Sequence, residues 1–387
     1  MRIAIVGAGI GGLSTAVGLQ RAGAEVTVFE RAAEVRAGGS GLSIFANGLR
    51  ALESLGLGEA FAAVTDSRVE SFTAGQRRPD GRWIARIPSD SVGELRIVDR
   101  ADLHRILLDS LDEGTVRTSA DVTSASTDGT VSIASAKTES FDLVIGADGL
   151  HSQVREAVEP GVGSRYSGYS CWRGITDRPV DLGGAAGESV GRGRRFGIAP
   201  LMDGRVYWFA VANMIEDASF ADEKAAVRDL FSAWHSPIAE LIEATPGPRI
   251  RRTAISDLDA PLSTYHLGRI VLLGDAAHAM TPNLGQGGGQ ALEDAATLAR
   301  LLSELAASGG WHRSSNRASL AEALIRFDQL RLRRTQSIAS KSRILGSVFQ
   351  LEARPLAVLR DAIFSAVPAK LTAAQASSVQ KWDPPRN

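Results

Sequence analysis

The chain has a single cysteine, Cys171, among 387 residues. No disulfide can close within it and no cysteine-rich metal site can be built, which suits a reducing cytoplasm. Its six histidines are too scattered to suggest a metal site, and none is expected. No apolar run reaches the roughly 18 residues of a membrane span. The opening MRIAIV runs straight into a strand pattern, so no signal peptide and a cytoplasmic location are expected. Charge of neither sign is in excess: 43 basic and 44 acidic residues leave a net charge of −1. Nothing in that balance points to nucleic acid as a partner. One local excess exists, ten Lys/Arg against three Asp/Glu over residues 312–360. It reads first as a solvated helical face and second as a basic surface for an anionic partner.

Glycine is plentiful, 40 residues, and its placement carries the information. The length favours two packed units. Ile3–Val6 is a short apolar run that stops at glycine, as in a strand buried on both faces. A helix over 10–22 and a strand over 25–30 complete a βαβ opening. Strands with a turn at 79–81 are expected over 68–98. A helix is expected over 102–112, and strands over 131–133 and 141–146. From about 165 to 260 strands alternate with turns, interrupted by one helix near 222–234, which predicts a mostly antiparallel sheet. A buried strand returns at 269–273, followed by long helices over 287–305 and 318–346. The tail after 372 is expected to be loose.

Gly7-Ala8-Gly9-Ile10-Gly11-Gly12 matches G-x-G-x-x-G between the first strand and the first helix. Gly7 permits the tight turn, Gly9 lets backbone approach a pyrophosphate, and Gly12 lets helix and strand pack closely. The helix N-terminus offers free N–H groups to phosphate. Glu30, ending the second strand, can accept both hydroxyls of an adenosine ribose and would repel a 2′-phosphate. These residues indicate a dinucleotide without separating FAD from NAD.

Two later motifs each follow a strand: 146–155 (GADGLHSQVR) and 274–289 (GDAAHAMTPNLGQGGG). Together with the first, in this order and spacing, they resemble the single-component FAD-dependent flavoprotein monooxygenases over nearly the whole chain. The relatives they suggest are of the urate hydroxylase, salicylate hydroxylase and zeaxanthin epoxidase kind. The resemblance implies an α/β fold: a Rossmann-like FAD-binding domain of the para-hydroxybenzoate hydroxylase type, a mostly antiparallel substrate domain, and C-terminal helices. The expected division is 1–75, 100–160 and 266–311 for FAD, 76–99 and 165–265 for substrate, and 312–387 for the helices.

On this resemblance FAD is held by Gly7, Gly9, Gly11, Gly12, Glu30, Arg31, Ser43, Arg100, Val122, Asp148, Asp275 and the segment Gly285, Gln286, Gly287, Gly288, Gly289. Asp275 is suited to ribityl hydroxyls. The glycines at 285–289 let backbone reach the flavin edge, where a helix N-terminus stabilises negative charge on the reduced ring. Arg100 is assigned to the phosphate region. Asp148 either braces FAD or caps the turn after it. His278 is assigned a structural role. No second nucleotide fold is visible, and Gly191-Arg192-Gly193 lacks its frame. NADH or NADPH is therefore expected to bind transiently as electron donor.

The implied chemistry is reaction of reduced flavin with O₂ to a C4a-hydroperoxide that transfers one oxygen to a small, electron-rich aromatic or heteroaromatic substrate. Arg195 and Tyr207 are the catalytic candidates. Arg195 would pair with an anionic substrate or with charge developing on its ring; Tyr207 would donate to a substrate oxygen or hold Arg195. Cys171, Arg173 and Asn283 complete the candidate pocket. Cys171 and Asn283 depart from the urate hydroxylase pattern, which has an amide and an acid there. Since an amide is no general base, a substrate other than urate is expected. Epoxidation of an alkene, a non-oxygenating reductase, a halogenase (of whose tryptophan element 83–88 keeps only a part) and a non-catalytic FAD sensor or carrier are the competing readings. No membrane or nucleic-acid partner is expected, and the assembly is read as a monomer or homodimer.

Overall fold

Ile3, Ala4, Ile5 and Val6 are all buried because their strand, Arg2–Val6, lies inside a parallel sheet. In this computed structural model, which describes residues 1–35, 40–87, 93–134, 138–307, 317–368 and 378–385, that sheet has six strands. Their order is His266–Leu267, Ile270–Leu272, Leu143–Gly146, Arg2–Val6, Glu25–Phe29, Val116–Arg117. Only the His266–Leu267 edge is antiparallel. Helix Ile10–Arg21 packs on helix Gly287–Ala307 over one contiguous core. A seven-stranded, almost wholly antiparallel sheet forms the second layer, in the order Arg251–Leu258, Ser164–Ile175, Val206–Asn213, Arg194–Pro200, Gly187–Val190, Ala74–Arg77, Trp83–Ile87.

Several expectations shift in detail. Leu95–Asp99, expected in the second unit, pairs instead with Gly41–Phe45 in a separate ribbon, and Asp99 caps the following helix, Arg100–Asp109. Ala74–Arg77 belongs to the seven-stranded sheet although it straddles the expected boundary at 75. Trp83–Ile87 is that sheet's edge, with Arg77 and Arg86 over the Trp83 ring at 4.2 and 5.3 Å; Pro88 of the halogenase-like element lies outside the described residues. Gly191–Gly193 is the turn between two antiparallel strands.

The C-terminal part differs most. The long helix, Arg317–Phe349, does not simply present its basic residues to water: Arg331 is fully buried, and Arg343 reaches the buried Asp257 at 2.6 Å. A guanidinium can be taken inside when carboxylates meet it there. The described part of the tail, 378–385, is also held. Arg50 donates to the carbonyls of Gln380 and Trp382 at 2.7 and 2.6 Å, and Arg334 to that of Val379 at 2.8 Å. No helix of the described residues is long and apolar enough to cross a membrane.

Candidate active site

The first glycine turn is built as its spacing requires. Gly7 has φ +105°, and a Cβ at Gly12 would stand 2.1 Å from the Gly7 carbonyl oxygen. At Gly9 nothing lies within 4 Å of where a Cβ would be, so the backbone there faces open space. Glu30 accepts from the N–H of Ala8 at 3.0 Å and of Ala32 at 2.9 Å, one on each oxygen. This fixes the carboxylate beside the turn and leaves lone pairs for a ribose. Arg31 is exposed next to it. Ala120 donates to the Glu30 carbonyl at 2.9 Å, which brings Val122 close; its side chain is buried in the core.

The two later motifs converge on the other end of the cleft. Asp148 accepts from the Ser152 hydroxyl at 2.5 Å and from the N–H groups of Gln153 and Val154 at 2.7 and 3.2 Å, so its carboxylate holds its own turn together. The buried Arg155 then donates to the Ala276 carbonyl at 3.1 Å and joins the two motifs. Gly285 takes the left-handed conformation that ends a short turn, and helix Gly287–Ala307 begins two residues later. Gly287 faces open space, Gly288 packs on Leu42, and Gly289 lies beside Asn47. The Gln286 side chain turns inward and accepts from Asn47 at 2.9 Å. Ser43, half-buried, lies on the ribbon strand that includes Leu42.

Asp275 and Arg100 both have exposed side chains, yet both are enclosed on most sides by protein. Burial raises the Asp275 carboxyl, against the pull of His278 and Arg100. Burial likewise lowers the Arg100 guanidinium, against the charge of Asp275. Groups reachable by water but surrounded by protein line an internal cleft. Open backbone at Gly9 and Gly287, the Glu30 acceptor, the Arg100 cation and the Asp275 acceptor fit a long dinucleotide with phosphates in its middle.

The seven-stranded sheet closes the cleft from the other side. Its register aligns Cys171 with Val211, Arg173 with Phe209 and Ile175 with Tyr207; it likewise aligns Arg195 with Val211, Gly197 with Phe209 and Ala199 with Tyr207. Alternation therefore puts Cys171, Arg173, Arg195, Tyr207 and Phe209 on one face. The opposite face, with Trp172, Phe196 and Trp208, is sealed by helices Glu223–Phe231 and Ile238–Glu243. A Cβ at Gly41 would stand 2.2 Å from Tyr207 Cγ, so the Tyr207 ring lies flat against the ribbon.

The candidates on this face separate into two groups. Arg195 is buried and spent: it donates to Gln350 at 2.9 Å, Glu188 at 3.1 Å and Asn283 at 2.7 Å, with its guanidinium 5.2 Å from the Phe349 ring centroid. Tyr207 neighbours Arg173 rather than Arg195. Arg173 is half-buried; its hydrogen bonds go to Thr253, at 3.3 Å, and to Tyr207, and among the described residues no carboxylate stands within ion-pair distance. It also feels Arg100, which places it toward the cleft. Burial pushes the Tyr207 hydroxyl up to about 12, with Arg173 pulling the other way, so it stays protonated. The buried Cys171 thiol is raised too, by burial, and is no nucleophile near neutral pH.

The sequence of a protein family described as an FAD binding domain matches residues 1–323. The chain belongs to that family of FAD-dependent monooxygenases. It is 37% identical over 362 residues to the aurachin C monooxygenase/isomerase of Stigmatella aurantiaca, covering 91% of this chain and 90% of that protein. It is 34% identical over 381 residues to the 3-amino-4-hydroxybenzoate 2-monooxygenase of Streptomyces cremeus, covering 93% and 91%. Its fold matches that of Klebsiella pneumoniae HpxO, solved with FAD and uric acid, at a TM-score of 0.85 and 27% identity over 98% and 96% of the two chains.

Two parts of this FAD-dependent monooxygenase escaped the sequence. Phe209, an unremarkable strand residue by sequence, is the aromatic on the pocket face, partly exposed between Tyr207 and Val211. The signal available was alternation: Phe209 is two residues from Tyr207. Arg331 was counted only as one of a basic run, and nothing local marks its partners, Glu293 and Asp294. His278, read as structural, sits with them, its Nε2 2.6 Å from Asp294.

Proposed function

We propose that this FAD-dependent monooxygenase hydroxylates a small aromatic or heteroaromatic substrate that presents an anionic or strongly accepting oxygen to Arg173. Bound FAD, reduced by NADH or NADPH, supplies the oxygen chemistry. The residues of the sheet bind and orient. Arg173 pairs with the substrate oxygen, and Tyr207, protonated throughout the neutral range, donates a second hydrogen bond. Phe209 supplies an apolar surface for a flat ring. Asn283, an amide, takes no proton from the substrate, so the ring must already be ionised or electron-rich enough to react. Arg195 holds Asn283, Glu188 and Gln350 together behind the pocket.

The observation that carries this reading is the Arg173 guanidinium, enclosed yet facing no carboxylate, on the same face as Tyr207 and Phe209 and within the field of Arg100. A guanidinium with no carboxylate beside it among the described residues has charged donors left for an anion. The experiment is a panel of hydroxybenzoates, aminophenols, quinolones and purines, each beside its neutral or deoxygenated analogue. It is scored by acceleration of NAD(P)H oxidation and by the mass of product formed under isotopically labelled O₂. Product without the label, or no preference for acidic rings, would overturn the reading.

A further inference from the structure

We propose that Arg331, past the end of the family match, is a positioning residue for the flavin end of the FAD site, acting on both segments that flank the flavin. The match to the family stops at residue 323, and Arg331 touches no part of the cleft. Its guanidinium is completely buried. Nε donates to Asp294 Oδ1 at 2.6 Å, one terminal nitrogen to Glu293 Oε2, and the other to the Gln290 carbonyl and side chain at 3.2 and 2.9 Å. Every nitrogen is used, and both carboxylates belong to helix Gly287–Ala307.

From Asp294 the connection runs to Asp275. The second oxygen of Asp294 accepts from the Gly274 N–H at 2.9 Å and lies 2.6 Å from His278 Nε2. Gly274 has φ +58° and ψ −141°, a conformation that favours glycine and turns the chain sharply just before Asp275. Burial alone would raise the Asp294 carboxyl; His278 and Arg331 outweigh it and hold it at about 2. Asp294 is therefore an ionised acceptor that pins the turn aiming Asp275 into the cleft.

From Glu293 the connection runs to the glycine segment. Its Oε1 accepts from Asn47 at 2.6 Å, Gln290 at 2.9 Å and Arg334 at 2.8 Å. Asn47 also donates to Gln286 at 2.9 Å, immediately before the open backbone of Gly287. One guanidinium thus bridges two adjacent carboxylates, each of which fixes one flavin-side segment, with Arg334 as the second cation on Glu293. Without it Glu293 keeps Arg334 on both oxygens and Asp294 keeps His278, but each buried carboxylate loses a charged donor and nothing then joins the two. The first glycine turn and Glu30 share none of these partners.

The test compares FAD with ADP, which lacks the flavin and ribityl parts. The full-length protein, freed of flavin, is titrated with each by calorimetry, as wild type, Arg331→Met and Arg331→Lys. Loss of charged hydrogen bonds predicts that Arg331→Met weakens FAD about tenfold or more, while ADP binding changes less than about twofold because its contacts are untouched. Lysine keeps the charge but not the fork geometry, so Arg331→Lys should show the same selective loss in smaller measure. The visible bands of the bound flavin should shift in both variants. Equal weakening of FAD and ADP would show a merely structural role and overturn the proposal, as would unchanged FAD affinity. If Arg331→Met does not fold, the same comparison on Arg331→Lys decides.

Discussion

Asn283 accepts from the Arg195 guanidinium at 2.7 Å, while its own amide nitrogen shares its two hydrogens among Tyr169 Oη at 3.0 Å, Thr281 Oγ1 at 2.9 Å and the Ser342 carbonyl at 2.9 Å. Both ends of the amide are occupied. It ties the loop before the flavin segment to the sheet on one side and to the long helix on the other. A carboxylate of the same shape would keep the Arg195 contact and lose every donor. Asn283→Asp is therefore expected to set a carboxylate oxygen against the Ser342 carbonyl and to lower stability by about 1–3 kcal/mol. Substrate-stimulated NAD(P)H oxidation should fall with FAD still bound. Thermal unfolding and flavin content measure both. A variant as stable as wild type would show that the amide is not a strut.

Gly41 and Tyr207 give a second prediction. An added methyl at Gly41 would overlap the ring, with Tyr207 Cγ only 2.2 Å from the new Cβ. Gly41 itself has ordinary backbone angles, so the effect is one of packing. Gly41→Ala should displace the ring from the pocket face and cost about 1–3 kcal/mol through overpacking. KM for the aromatic substrate should rise more than kcat falls, because Tyr207 is assigned to binding. A change confined to KM for NAD(P)H would contradict that assignment.

The parts of the site legible in the sequence are those where backbone geometry restricts the residue. Gly7 and Gly12 are fixed by a turn and a close approach, and the acid at Glu30 by its distance from them, so a dinucleotide turn is legible from spacing, though not which dinucleotide. Cys171, Arg173 and Tyr207 are candidates through the resemblance alone, and it is the strand register that puts them on one face. What was hidden depends on contacts far apart in the chain. Arg195 and Arg173 are equivalent as sequence, each a cation in a strand. Only the pairing with Glu188 and the arrival of Gln350 and Asn283 from elsewhere separate the occupied guanidinium from the available one. For the same reason, the basic run of the long helix gave no sign that Arg331 points into the core.

Arg173 should show the anion preference directly. Benzoate and benzamide have the same shape and differ in charge. Perturbation of the bound flavin spectrum by each ligand gives their affinities without turnover. Benzoate should bind more tightly to wild type, and Arg173→Met should weaken it by about tenfold or more, the scale of one charge-assisted pair. Benzamide should change little. Arg173→Lys should restore part of the benzoate affinity, since charge returns without the planar fork. Equal loss of both ligands would move Arg173 from substrate recognition to support of the pocket wall.

His104 makes the fold sensitive to acid. It is buried on helix Arg100–Asp109, and neither ring nitrogen has a hydrogen-bond partner among the described residues. Burial, reinforced by the positive charge of Arg100, lowers its pKa from 6.5 to about 4. The folded pKa lies below the unfolded one, so the unfolded chain binds more protons between these values. The contribution to stability is complete above the unfolded pKa and drains away as pH falls toward the folded one. Between about pH 8 and about pH 5 the loss amounts to about 2 kcal/mol. An imidazole that makes no hydrogen bond gives up little when replaced by an apolar side chain of similar bulk. His104→Leu should therefore match or exceed wild type near pH 8 and lose much less stability on going to pH 5. Denaturant midpoints at the two pH values measure this for both proteins. If the two fall by the same amount, acid enters through another group and His104 is not the one that titrates.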